Sequence, residues 1–98
     1  MLYVVRFYDK ADVLELRQTH RAAHLDWLAD NAGVILQAGA LNDPDSQSPQ
    51  GALWILETRC LEVVKELIEA DPFYRAGIRE HYEISAWNKA FAERRALI

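Results

Sequence analysis

The stretch THRAAHLDWL, residues 19–28, sets His20, Arg21 and His24 among alanines, leucines and a tryptophan, with Arg17 one turn earlier. Imidazole titrates near neutrality, so histidine is the usual side chain for moving a proton. Guanidinium binds carboxylates and other anions through a fork of N–H donors. The chemistry these types suggest is acid–base work on a small anionic molecule. With Val13 set at zero and about 100° per helical residue, His20 falls at ~340° and His24 at ~20°, the middle of the apolar face. Arg17 and Arg21 follow at its edge, while Glu15, Ala22, Asp26 and Asp30 lie opposite. An imidazole turned inward must find a hydrogen-bond partner or cost roughly 1–3 kcal/mol. It is therefore either a core histidine satisfied by a local acceptor or a working group beside a polar cleft. His20 reads equally well as a half-buried packing residue.

A histidine that moves protons is commonly oriented by a carboxylate. Asp43 and Asp45 lie in a polar stretch, NDPDSQSPQ, and read most simply as turn formers. Asp71 precedes Pro72 at the end of a helix, where a negative charge opposes the helix dipole. It needs either a turn bond to the backbone of residues 73–74 or a partner elsewhere, and the residues alone leave these even.

The elements that must position these groups follow from patterning. Residues 2–8, LYVVRFY, read as a strand. Residues 12–31 read as a helix, with Asp12 as N-cap, Glu15 completing a capping box and Gly33 as a left-handed terminator. VILQAGAL (34–41) and GALWILET (51–58) are strands around an exposed loop at 42–50. CLEVVKELIEA (60–70) is a second helix, broken at Asp71-Pro72. One extra turn is expected at 73–76, a fourth strand at 79–87, and a short helix or frayed tail at 88–98. The order βαββαβ predicts one α+β domain over residues 1–98, a ferredoxin-like four-stranded antiparallel sheet with two helices on one face. Both faces of strands 1 and 3 are apolar: Leu2 and Val4 against Tyr3, Val5 and Phe7, and Trp54 and Leu56 against Leu53 and Ile55. A bare apolar sheet exceeds what a monomer tolerates, so a homodimer or higher homo-oligomer with sheets packed face to face is expected.

Of the 98 residues, 51% are hydrophobic and 27% charged, which suits a packed core rather than disorder. The net charge of −4 and the absence of a clustered basic surface argue against nucleic acid. No apolar run approaches the roughly 20 residues of a membrane span, and the amino terminus lacks the order of a signal peptide, so a cytoplasmic protein is expected. A lone Cys60 forms no internal disulfide, and there is no HExxH or phosphate-loop motif.

Three stretches together carry a resemblance. They are MLYVVRFYDKADVLELRQTHRAAHLDWL, a strand ending in Ala38-Gly39, and ADPFYRAGI, with R-x-x-H-L at Arg21–Leu25 and D-P-F-x-x-A-G at Asp71–Gly77. The chain resembles the YCII-related family over nearly its whole length. The resemblance implies a dimeric α+β barrel and an active-site His–Asp pair, carried here by His24 and Asp71. It also implies lyase or isomerase activity on chlorinated or hydroxylated ring products without a metal. Relatives often have proline two residues before the histidine, or Gly-Pro after the second strand. This chain has Ala22 and, after Gly39, Ala40.

Two functions fit. In the first, a small cofactor-free enzyme uses His24 as general acid or base and Asp71 to hold its tautomer. Arg21 and Arg17 bind a carboxylate or phenolate there, with His20 beside them, and Trp54 or Tyr82 lines the apolar part of the pocket. In the second, a non-catalytic dimeric module binds a small ligand or a protein, and His24–Asp71 is a structural hydrogen bond.

Overall fold

The computed structural model describes residues 1–98. The strands are β1 (Leu2–Asp9), β2 (Ile35–Asn42), β3 (Pro49–Glu57) and β4 (Arg79–Trp87). The helices are α1 (Leu14–Asp30), α2 (Leu61–Ala70) and the single turn α3 (Pro72–Arg75). The strands form one antiparallel sheet in the order β2-β3-β1-β4. This is the ferredoxin-like α+β arrangement that the alternation of elements predicts. Residues 88–98 form no helix or strand.

Alternation decides which sheet face is covered. Tyr3, Val5 and Phe7 of β1 and Ala52, Trp54 and Leu56 of β3 are buried together with Ile35, Val64 and Ile68. Trp27 and Leu28 of α1 pack against this cluster. Phe7 meets Trp54 edge-on at 4.7 Å between ring centroids, a preferred aromatic geometry. A second cluster, Val13, Phe73 and Ile78, lies where α1, α3 and the start of β4 converge. On the opposite sheet face Val4, Leu53, Ile55 and Trp87 line a shallow apolar hollow.

Three local expectations are corrected. Asp12 does not cap α1: it takes a left-handed conformation at φ 58°, and Val13 is the N-cap with no side-chain hydrogen bond. The turn at Asp12 lets Val13 enter the second cluster, and aspartate tolerates such a φ better than most residues. Gly33 is not the left-handed terminator. α1 ends on Asn31, whose Nδ2 donates to the Trp27 carbonyl at 2.8 Å. The left-handed glycine is Gly77, at φ 79° after α3. There Gly77 N–H donates to Tyr74 O and Ile78 N–H to Phe73 O, the pair of bonds of a Schellman ending. The inward face predicted for α1 is also narrower than expected. His24 is its only buried residue, His20 is half-buried, and Leu16 and Ala23 are exposed. The cleft opens on the flank that carries Leu14, Arg21 and Leu25, and Leu16 and Ala23 face solvent outside it.

The polar loop is a hairpin turn at 43–48. Asp43 Oδ1 accepts from the N–H groups of Asp45 and Ser46, both at 2.9 Å, so Asp43 is a turn former. Those bonds hold its carboxyl below the usual aspartate range.

Two predictions follow from these turns. Gly77→Ala should lower the unfolding free energy by about 1 kcal/mol, because alanine is strained at positive φ. Gly33→Ala should leave stability unchanged or raise it by a few tenths of a kcal/mol, since a Cβ there meets nothing within 4 Å. Chemical denaturation of both variants checks the contrast. For Asp43→Ala, a depressed carboxylate contributes stability above its unfolded pKa and loses it as pH falls through the folded one. The melting temperature should therefore drop relative to the parent at neutral pH, and the gap should close in strong acid.

Candidate active site

Asp71 begins α3, and its carboxylate is fully buried. Oδ1 accepts the backbone N–H of Phe73 at 3.1 Å and lies 2.6 Å from His24 Nδ1. The turn bond and the distant partner, which sequence leaves as alternatives, are made by one oxygen. A carboxylate offers acceptors only, so beside Asp71 in that form the imidazole Nδ1 donates and Nε2 is left for a ligand. Phe73 holds the ring from the side, stacked on His24 at 3.8 Å between centroids and 3° between planes.

His24 lies on the wall of a cleft of about 380 Å³ between α1 and the edge strand β2. Leu14, Leu25 and Leu28 give it an apolar wall, and Ala38, Gly39 and Ala40 form the strand side. Arg17, Gln18 and Arg21 supply polar groups, and Pro49 and Phe73 complete the lining. The volume suits a single-ring molecule. The small residues of β2 keep the strand side open.

Arg17 is fixed rather than free. Its Nε donates to Asp9 Oδ2 at 2.7 Å, and its Nη2 to the Gly51 carbonyl at 3.0 Å. A Cβ on Gly51 would run into the Phe7 carbonyl and the Arg6 guanidinium, so glycine lets β3 lie close to β1 at this point. The other Asp9 oxygen accepts from Arg79 Nη1 at 2.7 Å. Both members of the Asp9–Arg79 pair are buried. Burial pushes the Arg79 guanidinium below its ordinary range, and the hydrogen bond and charge of Asp9 oppose that shift. Sequence reasoning misses Asp9, Arg79 and Phe73. Plain alternation along 79–87 sets Arg79 on the same face as His81 and Glu83. The register shift that pairs Tyr8 with His81 and Asp9 with Arg79 turns Arg79 inward instead.

Other predicted residues lie elsewhere. Trp54 is fully buried beneath Trp27 and beside Phe7, in the centre of the core rather than at the cleft. Tyr82 is on β4, the edge opposite β2, against Phe7 and Tyr74. His20 is half-buried and outside the cleft lining. Nowhere do three histidine, cysteine, aspartate or glutamate side chains converge as a metal site would need. No helix is long and apolar enough to cross a membrane.

This geometry has relatives. The chain is 38% identical to protein YciI of Escherichia coli O6:H1 and, equally, to that of Shigella flexneri, over 93% of this chain and 100% of each relative. Among solved structures it is similar to the 5-chloro-2-hydroxyhydroquinone dehydrochlorinase TftG of Burkholderia phenoliruptrix, in complex with 2,5-dihydroxybenzoquinone. The TM-score is 0.80 and the identity 26%, over 90% of this chain and 94% of that one. An antibiotic biosynthesis monooxygenase-type protein from Bacteroides thetaiotaomicron shares the fold alone, with TM-score 0.60 and 13% identity over 99% and 95% of the two chains. The fold is that of the dimeric α+β barrel proteins. Residues 1–88 match the YCII-related domain, and the chain belongs to that family.

Proposed function

We propose that this chain is a small-molecule enzyme that performs acid–base chemistry with its own side chains on a small anionic, aromatic molecule, by elimination or isomerisation. The observation that carries this reading is the 2.6 Å contact between His24 Nδ1 and Asp71 Oδ1 at the wall of an open cleft. Nε2 of His24 takes a proton from the substrate while Asp71 steadies the imidazolium that forms. The electron pair released from the broken bond to hydrogen forms a new double bond, and a leaving group departs with its own pair. Arg17, braced by Asp9 and Gly51, and Arg21 hold the substrate's carboxylate or phenolate and stabilise charge that develops on it. The likeness to TftG, whose name gives a dehydrochlorinase and whose complex holds a ring dione, supports a ring substrate.

The test is isothermal titration of the parent and of His24→Ala with 2,5-dihydroxybenzoquinone and with benzoate. The parent should bind at least one of these ring molecules. The variant should keep its fold and lose at least about tenfold in affinity, roughly 1.4 kcal/mol. A second reading has support of its own: Asp71 Oδ1 also caps α3, so the pair is built into the fold. If His24→Ala unfolds while the parent binds neither probe, the chain is instead a binding module with a structural His–Asp bond.

The same reading includes a cytoplasmic homodimer with sheets packed face to face. Leu2, Val4, Leu53, Ile55 and Trp87 offer the apolar surface such packing covers. Light scattering should give twice the mass of one chain. Ile55→Glu should give one chain's mass with β-sheet content retained, whereas a dimeric variant would rule out this face.

A further inference from the structure

The cleft has two unlike ends, and strand register identifies them. Leu41 of β2 is paired with Gly51, whose carbonyl accepts from Arg17 Nη2, and Ala40 is paired with Ala52 next to it. Arg17, Gln18 and Arg21 therefore lie toward the Ala40 end. Ala38 is paired with Trp54, on which Trp27 packs, and Ala38 and Leu28 both pack against the core. This second end holds Ala38, Leu25 and Leu28 and no charged side chain. His24 stands between the two, three residues after Arg21 and four before Leu28. Residues paired across strands point to the same face of the sheet. Ile35, Ala38 and Ala40 are opposite the buried Leu56, Trp54 and Ala52, so all three face the helices. Ile35 fills its place and is buried, whereas Ala38 is half-buried and Ala40 exposed. The methyl of Ala38 is too short to fill the space that a larger residue would close against α1.

We propose that Ala38 is a specificity-determining residue: its small side chain opens an apolar subsite with Leu25 and Leu28, and the cleft selects a ring anion that carries a small alkyl group on the side away from its carboxylate or phenolate. This rests on the reading of the cleft as the substrate site. Arg21 and Leu28 are seven residues apart on α1, about 10 Å along the helix axis, which is longer than an unsubstituted ring acid. An anion held by the arginines therefore puts the ring against His24 and leaves the apolar end for a substituent. Each methylene buried there strengthens binding about fourfold. A charged or strongly hydrated substituent is disfavoured at that end, because no side chain there offers it a hydrogen bond.

Isothermal titration of the parent, Ala38→Val and Ala40→Val with benzoate and 4-ethylbenzoate reads this preference, and circular dichroism checks each fold. The parent should bind 4-ethylbenzoate roughly tenfold more tightly than benzoate. Ala38→Val should abolish that preference by weakening 4-ethylbenzoate, because its added carbons take the place of the ethyl group. Ala40→Val adds the same bulk at the Arg17 end, so it should weaken both probes by one factor and keep the parent's ratio. A parent without the preference, or an Ala38→Val variant that retains it, overturns the proposal. So does an Ala38→Val variant that loses both probes alike. Should Ala38→Val fail to fold, Ala38→Ser decides: its hydroxyl makes the subsite polar at nearly the same size, and the ratio must fall by about threefold. A parent that binds neither benzoate also overturns the proposal, while the reading of the cleft as substrate site is then decided separately by 2,5-dihydroxybenzoquinone.

Discussion

One oxygen atom ties this fold to its candidate chemistry. Asp71 closes α2 through its backbone N–H, and its Oδ1 both starts the next turn and meets the His24 imidazole. Losing it would release the α3 cap and orphan a buried imidazole at once. A buried polar group without a partner costs free energy on the scale of a lost hydrogen bond or more. The interaction therefore constrains its neighbours. Pro72 follows directly, Phe73 must stack on the imidazole, and Gly77 must turn left-handed to send the chain into β4. Asp71, Pro72, Phe73 and Gly77 thus act together in placing one carboxylate against one imidazole.

The same constraint explains an otherwise awkward helix. α1 buries a histidine and leaves several leucines in the open. An amphipathic helix of ordinary design would do the opposite. Here the tertiary partner on α3 decides which residue enters the interior. Leu14, Leu25 and Leu28 form a cleft wall, and of these Leu28 also packs on the core. Breaks of local rules of this kind concentrate where function overrides packing.

Much of this was legible in the residues, and the illegible part has definite causes. Strand alternation and the Asp71-Pro72 break gave the element order, because burial on one face imposes period two and proline ends helices. The 100° wheel placed His24 inward for the same reason. It did not tell Leu16 or Ala23 from covered residues, since periodicity reports direction and not what lies opposite. Trp54 and Tyr82 resisted for a related reason: an aromatic on a strand points at core or pocket alike until strand order is known, and β2 and β4 occupy opposite edges. Asp9 and Arg79 were hidden by a bulge that reverses the facing of one residue. Asp12 lost its capping role because Val13 had more to gain from burial with Phe73 and Ile78.

The hairpin between β2 and β3 is sealed by its own hydrogen bonds, yet the strand it opens into supplies Pro49 to the cleft. Lengthening such a segment costs only about 0.6 kcal/mol per doubling. The interior would not register the change, whereas the rim of the cleft would. Insertions at this one exposed tip thus give descendants of the chain an inexpensive evolutionary route to new ligand preferences on an unaltered frame.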